Sequence, residues 1–191
     1  MSIPGEPEAA EVLVRRVRGH GLPIIRASVK VALAPEAWEP FLAGLSTSAR
    51  RFLAATPDPE VWVEAATVAE VMEGFRQQKA RDLNPLQGDL AGEAYVALGG
   101  APFASPAALM AAVPHLWAHA FEGGRAQGAL LGDREAEVWI WAVVPYAPWM
   151  SGFIRHWFRT ALEGCGVTGV TVDHQPPEPG GCGHRYRCRW A

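Results

Sequence analysis

The hydrophobic pattern of this chain shifts from mainly helical to mainly alternating at Gly123-Gly124, and that change limits the folds open to it. Before the two glycines, apolar residues recur at helical spacing. Trp38, Phe41, Leu42 and Leu45 form one set, Val68, Val71, Met72 and Phe75 a second. Leu109, Met110, Val113, Leu116, Trp117 and Phe121 form a third. After the glycines the pattern alternates. Val138, Ile140 and Ala142 oppose Trp139, Trp141 and Val143, and Tyr186, Cys188 and Trp190 oppose Arg185, Arg187 and Arg189. Helices segregated from strands are the α+β pattern. The expected fold is a helical layer packed on a four- to five-stranded, mostly antiparallel sheet, with the strands mainly in the C-terminal third.

Local signals set the boundaries. Val12, Val14 and Val17 predict an edge strand whose arginines face water. Residues 22–33 read either as a helix with Ile24, Ala27 and Val31 on one face or as a strand. Pro35 suits the first turn of a helix, and Ser46 or Thr47 caps the next. After an extended stretch at Glu60–Val63, Thr67 and Glu70 read as a capping box for a helix to about Lys79. A further helix is expected over 88–98. Ser105-Pro106 opens one that is kinked at Pro114 and runs through Phe121. Gly132-Asp133-Arg134 joins two strands as a hairpin, the second central and covered on both faces. Pro148 opens an aromatic helix that ends at Gly164, and strands follow over 167–173 and 185–190. Residues 1–10 read as a flexible leader and 11–191 as a single α+β domain.

Composition excludes several classes. A chain of 191 residues, 49% of them apolar, can bury a sizeable core and is not wholly disordered. A net charge of −3 argues against a nucleic-acid binder. No apolar run reaches the roughly 18 residues of a membrane span. The start lacks a secretory signal, and 3 cysteines do not make a disulfide framework. The expected location is cytoplasmic, with reduced thiols.

The 8 tryptophans suit a packed core, a partner interface or an aromatic-lined cavity. As walls of a ligand cavity the candidates are Trp117, Trp139, Trp141, Trp149, Phe153 and Trp157. Asp173, His174, Cys182, His184 and Cys188 are the one dense set of chemical groups. Of these, His174, Cys182 and His184 are the candidate zinc ligands. The preferred reading is polar loop residues plus a buried thiol: no cofactor, with structural zinc as the alternative. Cys165 or Cys182 paired with a histidine is the nucleophile alternative, although Cys165 follows a helix end whose dipole opposes a thiolate.

His115 and His119 stand at i, i+4, with Glu122 three residues on. They read as partly exposed histidines near Trp117 rather than as metal ligands, and His156 as a surface residue. Arg15, Arg16 and Arg18 offer a phosphate patch as a minor reading, and Asp82, Asp89 and Glu93 a solvated acidic face. Motifs for a serine nucleophile elbow, a phosphate loop or a zinc protease are missing.

Several segments of the last third together resemble a known bacterial group. They are LMAAVPHLWAHAFEGGRAQGALLG, the two-strand run after it, the aromatic helix ending in ALEGCGV, VTVDH, and the closing strand to Trp190. The group is similar to the 4-vinyl reductase-like ligand-binding domains and is numerous in myxobacteria and related bacteria. The resemblance implies the fold of the NO-signalling and Golgi-transport particle proteins, a dimer, and small-molecule sensing or protein interaction. Some relatives bind zinc through two cysteines near the end. Here Pro177 falls at the first of those places, and His184 is nearest the second, with Cys182 two residues early.

The expected function is a non-enzymatic small-molecule-binding, sensory or protein-interaction domain that self-associates as a homodimer and takes a hydrophobic small molecule. The alternatives are a purely structural homodimer with a solid core and a cysteine- or histidine-dependent enzyme.

Overall fold

A computed structural model of the chain describes residues 12–19, 23, 25, 29, 33–54, 58, 60–77, 103–142, 147–178 and 181–191, the side chains of 76 and 147–150 excepted. Among them are five helices and two antiparallel sheets, with the strands mainly in the C-terminal part, as the change of period predicts. The expected helix over 88–98, the acidic residues Asp82, Asp89 and Glu93, and the face of Ile24, Ala27 and Val31 lie outside the described residues.

α1 (Pro35–Ala43) begins at its proline, and α2 (Thr47–Ala54) follows Ser46, whose hydroxyl accepts the Ala49 amide at 3.2 Å. α3 (Ala65–Gln77) does not start at the Thr67 box. The Ala65 amide donates to the Arg15 carbonyl at 2.8 Å, so the neighbouring chain already satisfies the start of the helix. Glu70 turns instead to α2 and accepts from both the amide and the hydroxyl of Ser46.

β1 (Arg16–Arg18) is the middle strand of a small sheet, between β2 (Trp62–Glu64) and β3 (Phe121–Glu122). The expectation of an edge strand is therefore corrected. The cause lies at the end of α4 (Pro106–Ala120): Phe121 leaves the helix with φ −133° and pairs with Val17. Gly123 and Gly124, at φ +100° and +70°, then turn the chain into the second sheet. Arg16 binds Glu122, Arg18 binds Glu60, and both guanidiniums lie over Trp62, 5.8 and 5.4 Å from its ring centre. Two of the three arginines of the minor phosphate reading are thus already paired.

The second sheet comprises β4 (Arg125–Gly132), β5 (Glu135–Trp141), β6 (Thr171–Gln175) and β7 (Gly183–Arg189), in the order β4-β5-β7-β6. α5 (Ala147–Gly164) joins β5 to β6. Ser105 caps α4 by accepting the Ala108 amide at 3.2 Å. α4 lays Leu109, Met110, Val113 and Trp117 toward the sheet, and one apolar core runs through the helices and both sheets.

The approach of α4 to β4 is unusually close. Pro114 has no amide, so the Met110 carbonyl loses its helical partner. Gly128 lies against that same group: a Cβ there would sit 2.7 Å from the Met110 oxygen and 3.0 Å from its Cα. Gly128→Ala must push α4 off the sheet, and the expected loss of folding stability is about 1–3 kcal/mol. Urea unfolding of the variant checks this, and an unchanged midpoint would show that the contact is slack.

Candidate functional site

β5 pairs with β7 so that Val138 faces Tyr186, Ile140 faces His184 and Trp139 faces Arg185. Alternation then sorts the sheet into two unlike faces. The face under α4 and α5 carries Ala126, Val138, Ile140, Tyr186 and Cys188, all buried. It also carries the two histidines of the candidate zinc set. β6 sets His174 opposite Tyr186, and His184 lies two residues earlier on β7. The imidazoles meet, His174 Nε2 to His184 Nδ1 at 2.9 Å, with ring centres 5.2 Å apart. One ring donates and the other accepts. His174 also stacks on Tyr186 at 4.7 Å, and Tyr186 packs on Phe158 of α5 at 6.4 Å.

Burial sets the protonation of this stack. It holds His174 down to about 4, with the nearby His184 and Arg155 adding to the effect. Burial lowers His184 as well and raises the Tyr186 phenol. The rings are neutral at neutral pH.

Cys182 does not join them. It lies three residues beyond the last β6–β7 pair, Gln175 with Arg185, and packs with Val12 and Trp141 in a separate small cluster. No group of three metal donors forms among the described residues. Burial raises the thiols of Cys165 and Cys188, the latter to about 12. Neither is the thiolate that nucleophilic cysteine chemistry needs near neutral pH.

The other face of the sheet is an ionic ladder. Glu135 accepts two bonds from Arg187, at 2.6 and 3.0 Å, and one from Arg189 at 2.8 Å, and Arg189 reaches on to Asp173 at 2.9 Å. The Arg187 bonds above all hold the Glu135 carboxyl down to about 2. Glu137, buried to 7% exposure, accepts from Arg185 and from the Trp139 indole at 2.8 Å. Trp139 and Trp141 stack on this face under guanidiniums, Arg185 over the first and Arg125 over the second. β5 is central as expected, but side-chain pairs and Val12 cover its second face.

The six aromatic candidates are therefore divided. Trp117 is buried on the helix side, stacks on Phe121 and donates its indole N–H to the Gly123 carbonyl. Phe153 and Trp157 are half-buried on α5, on that same side of the core. Trp139 and Trp141 occupy the opposite face, and the Trp149 side chain lies outside the described residues. Glu137 escaped sequence reasoning, although the three alternate arginines of β7 require acids across from them. Tyr186 was expected in the core but not as a partner of histidines.

On α4, His115 and His119 are exposed, as expected. His119 Nδ1 is 3.0 Å from Arg18 Nη1, and Glu122 belongs to Arg16, so the three do not converge on a metal. His115 makes no hydrogen bond to another described residue. His156 is half-buried on α5 instead of lying on the surface, and has contacts of its own.

A helix over a hairpin, a second helix, and two closing strands, with both helices on one sheet face, define the class: an α+β domain with a two-faced antiparallel sheet. Solved structures similar to it include H-NOX proteins. The Fe(II) unliganded H-NOX protein from K. algicida superposes with a TM-score of 0.66 at 8% identity, covering 91% of this chain and 96% of that one. A structure described for protein-induced porphyrin distortion and haem redox potential gives 0.62 at 10% identity, with 90% and 99% covered. A mutant H-NOX of T. tengcongensis gives 0.61 at 9% identity, with 91% and 97% covered.

No family model matches the chain, and no curated protein matches it. The fold is thus similar to that of the H-NOX structures, consistent with the fold the resemblance implied, and no match supports a 4-vinyl reductase relation. The cofactor expectation is corrected. Neighbours described by their iron and porphyrin point toward haem, against an expectation of no cofactor or a zinc.

Truncating Glu137 leaves Arg185 and the Trp139 indole without their shared acceptor. Glu137→Ala is expected to cost about 1–3 kcal/mol, because Arg185 remains partly solvated. Thermal unfolding with Glu137→Gln as the companion variant checks this; equal stability of all three proteins would remove the ladder as a source of stability.

Proposed function

We propose that the chain is a ligand-binding sensory domain whose ligand site is built around haem held by His115. The observation that carries this reading is the state of His115 itself. Among the described histidines, His174 and His184 bind each other, His119 meets Arg18, and His156 has its own contacts. His115 stands on the exposed side of α4, opposite Leu109, Met110, Val113 and Trp117, with its ring nitrogens uncommitted toward the described residues. Haem iron is commonly held by a neutral imidazole, so the donor fits in kind.

The surroundings of His115 fit as well. Ala111, Ala112 and Ala118 lie three or four positions away and Pro114 is adjacent. The remaining neighbour at that spacing is His119, which meets Arg18. Pro114 also removes one backbone donor from this turn. Haem, when bound, supplies an iron with a coordination position open to a small ligand such as a dissolved gas. His115 would hold the iron; Trp117, turned to the opposite side of α4 and packed on Phe121, is not part of that site. Trp139 and Trp141 play no part here, because they lie beneath arginines on the opposite face.

A second reading, a protein-interaction module, is favoured by Leu130 and Leu131. They are 42% and 49% exposed on β4, whose outer side has no partner strand among the described residues. A homodimer belongs with that reading, and light scattering over a range of concentrations tests it.

Titration of the purified chain with haemin tests the first reading. The expected outcome is a saturable one-to-one absorbance change in the Soret region, with roughly tenfold or greater weakening in His115→Ala. Haemin binding that is absent, or equal in wild type and His115→Ala, discards it.

A further inference from the structure

We propose that the His174–His184 pair is an acid-sensitive latch that holds α5 on β6 and β7. The geometry is a cluster at one interface. His174 comes from β6 and His184 from β7, and the shared hydrogen bond of 2.9 Å fixes one ring against the other. Tyr186 supports His174 by stacking and carries the contact on to Phe158 of α5. Arg155 of α5 closes the interface by donating its Nε–H to the Val172 carbonyl of β6 at 3.3 Å. The pair thus lies within the set of contacts through which α5 rests on the sheet.

A bond between two imidazoles needs one bare nitrogen. Two neutral rings supply it, and so does a pair carrying one proton. A doubly protonated pair has only donors, so the bond is lost and two cations face each other.

The surroundings offer those cations no compensation. From α5 the nearest charge is the Arg155 guanidinium, also positive, and Arg159 lies one turn further along. From β7 the neighbours are Tyr186 and, two residues on, Cys188, both protonated at neutral pH. From β5 they are Val138 and Ile140, which cannot ionise. The nearest carboxylate in sequence, Asp173, alternates to the other face of β6, where it binds Arg189. Arg185 likewise alternates away, to Glu137.

The sign of the pH effect follows. Both histidines titrate lower in the folded protein than in the unfolded chain, where the ordinary value is 6.5. Between that value and about 4, the value for His174, the unfolded or opened chain binds more protons. The latch is therefore fully held above pH 6.5 and weakens steadily as the pH falls toward 4.

Hydrogen exchange of the whole chain between pH 7 and pH 4, corrected for the intrinsic rate, reads the latch directly. The expected result is that protection over 154–175 falls selectively in wild type as the pH drops. Protection along β4 and β5 should hold. His174→Gln with His184→Gln keeps a hydrogen-bonding pair that does not titrate, and should abolish the selective loss. Should that double variant fail to fold, His184→Gln alone decides: with one titrating ring left, no doubly protonated pair can form, and the selective loss should shrink. An acid response identical in wild type and whichever variant is measured overturns the proposal. So does a wild-type α5 that keeps its protection at pH 4.

Discussion

The antiparallel pairing of β5 with β7 is the constraint on which the rest of the structure depends. One register places Val138 with Tyr186 and Trp139 with Arg185, and alternation carries that choice across the sheet. A slip of one residue would push three arginines under the helices and turn Tyr186 and Cys188 out to water. Burying unpaired guanidiniums costs far more than a strand pair returns, so the alternative register is excluded. The ladder of Glu135, Glu137 and Asp173 with Arg185, Arg187 and Arg189 reinforces that choice. Its exposed members contribute little stability singly. Their arrangement is specific, because each acid meets its arginine in one register only.

The same register decides which groups can act together. It brings two histidines to the helix side and keeps them away from Cys182, whose position past the end of β6 attaches it to Trp141. It moves Trp139 and Trp141 to the face turned away from α4 and α5, where arginines cover them. A tryptophan-rich strand that looks like one aromatic wall is thus divided between two environments. The helix side is left with Trp117, Phe153 and Trp157, and with a neutral imidazole pair beneath α5.

Much of this was legible in the residues. The alternation of Tyr186, Cys188 and Trp190 against three arginines gave the last strand its faces, and the change of period at Gly123-Gly124 gave the order of elements. Ser105-Pro106 and Gly164 bounded two helices correctly. Where reading failed, a partner distant in sequence had decided the local structure. Thr67 and Glu70 have the spacing of a capping box, yet Arg15 already satisfies the start of α3, and Glu70 is drawn to Ser46. Phe121 continues a helical stripe, yet pairing with Val17 pulls it into a strand. The imidazole pair was hidden for the same reason. His174 and His184 stand ten residues apart, and only the register between β6 and β7 shows that they meet while Cys182 does not.

Identity of 8–10% with the H-NOX structures, over nine-tenths of the chain, separates what the layering requires from what the ligand requires. Layering needs apolar residues of about the right size on the inner faces, which many sequences supply. A ligand needs particular atoms, and shared layering does not transmit them. The haem reading therefore depends less on the superposition than on one imidazole. A histidine turned outward from α4, flanked by alanines and a proline and without a bond to the described residues, is poorly explained by packing, because it packs against little. The three other histidines with assigned partners each complete a local network. His115 differs from them in that respect among the described residues, and a coordinate bond is the interaction the haem reading assigns to its ring.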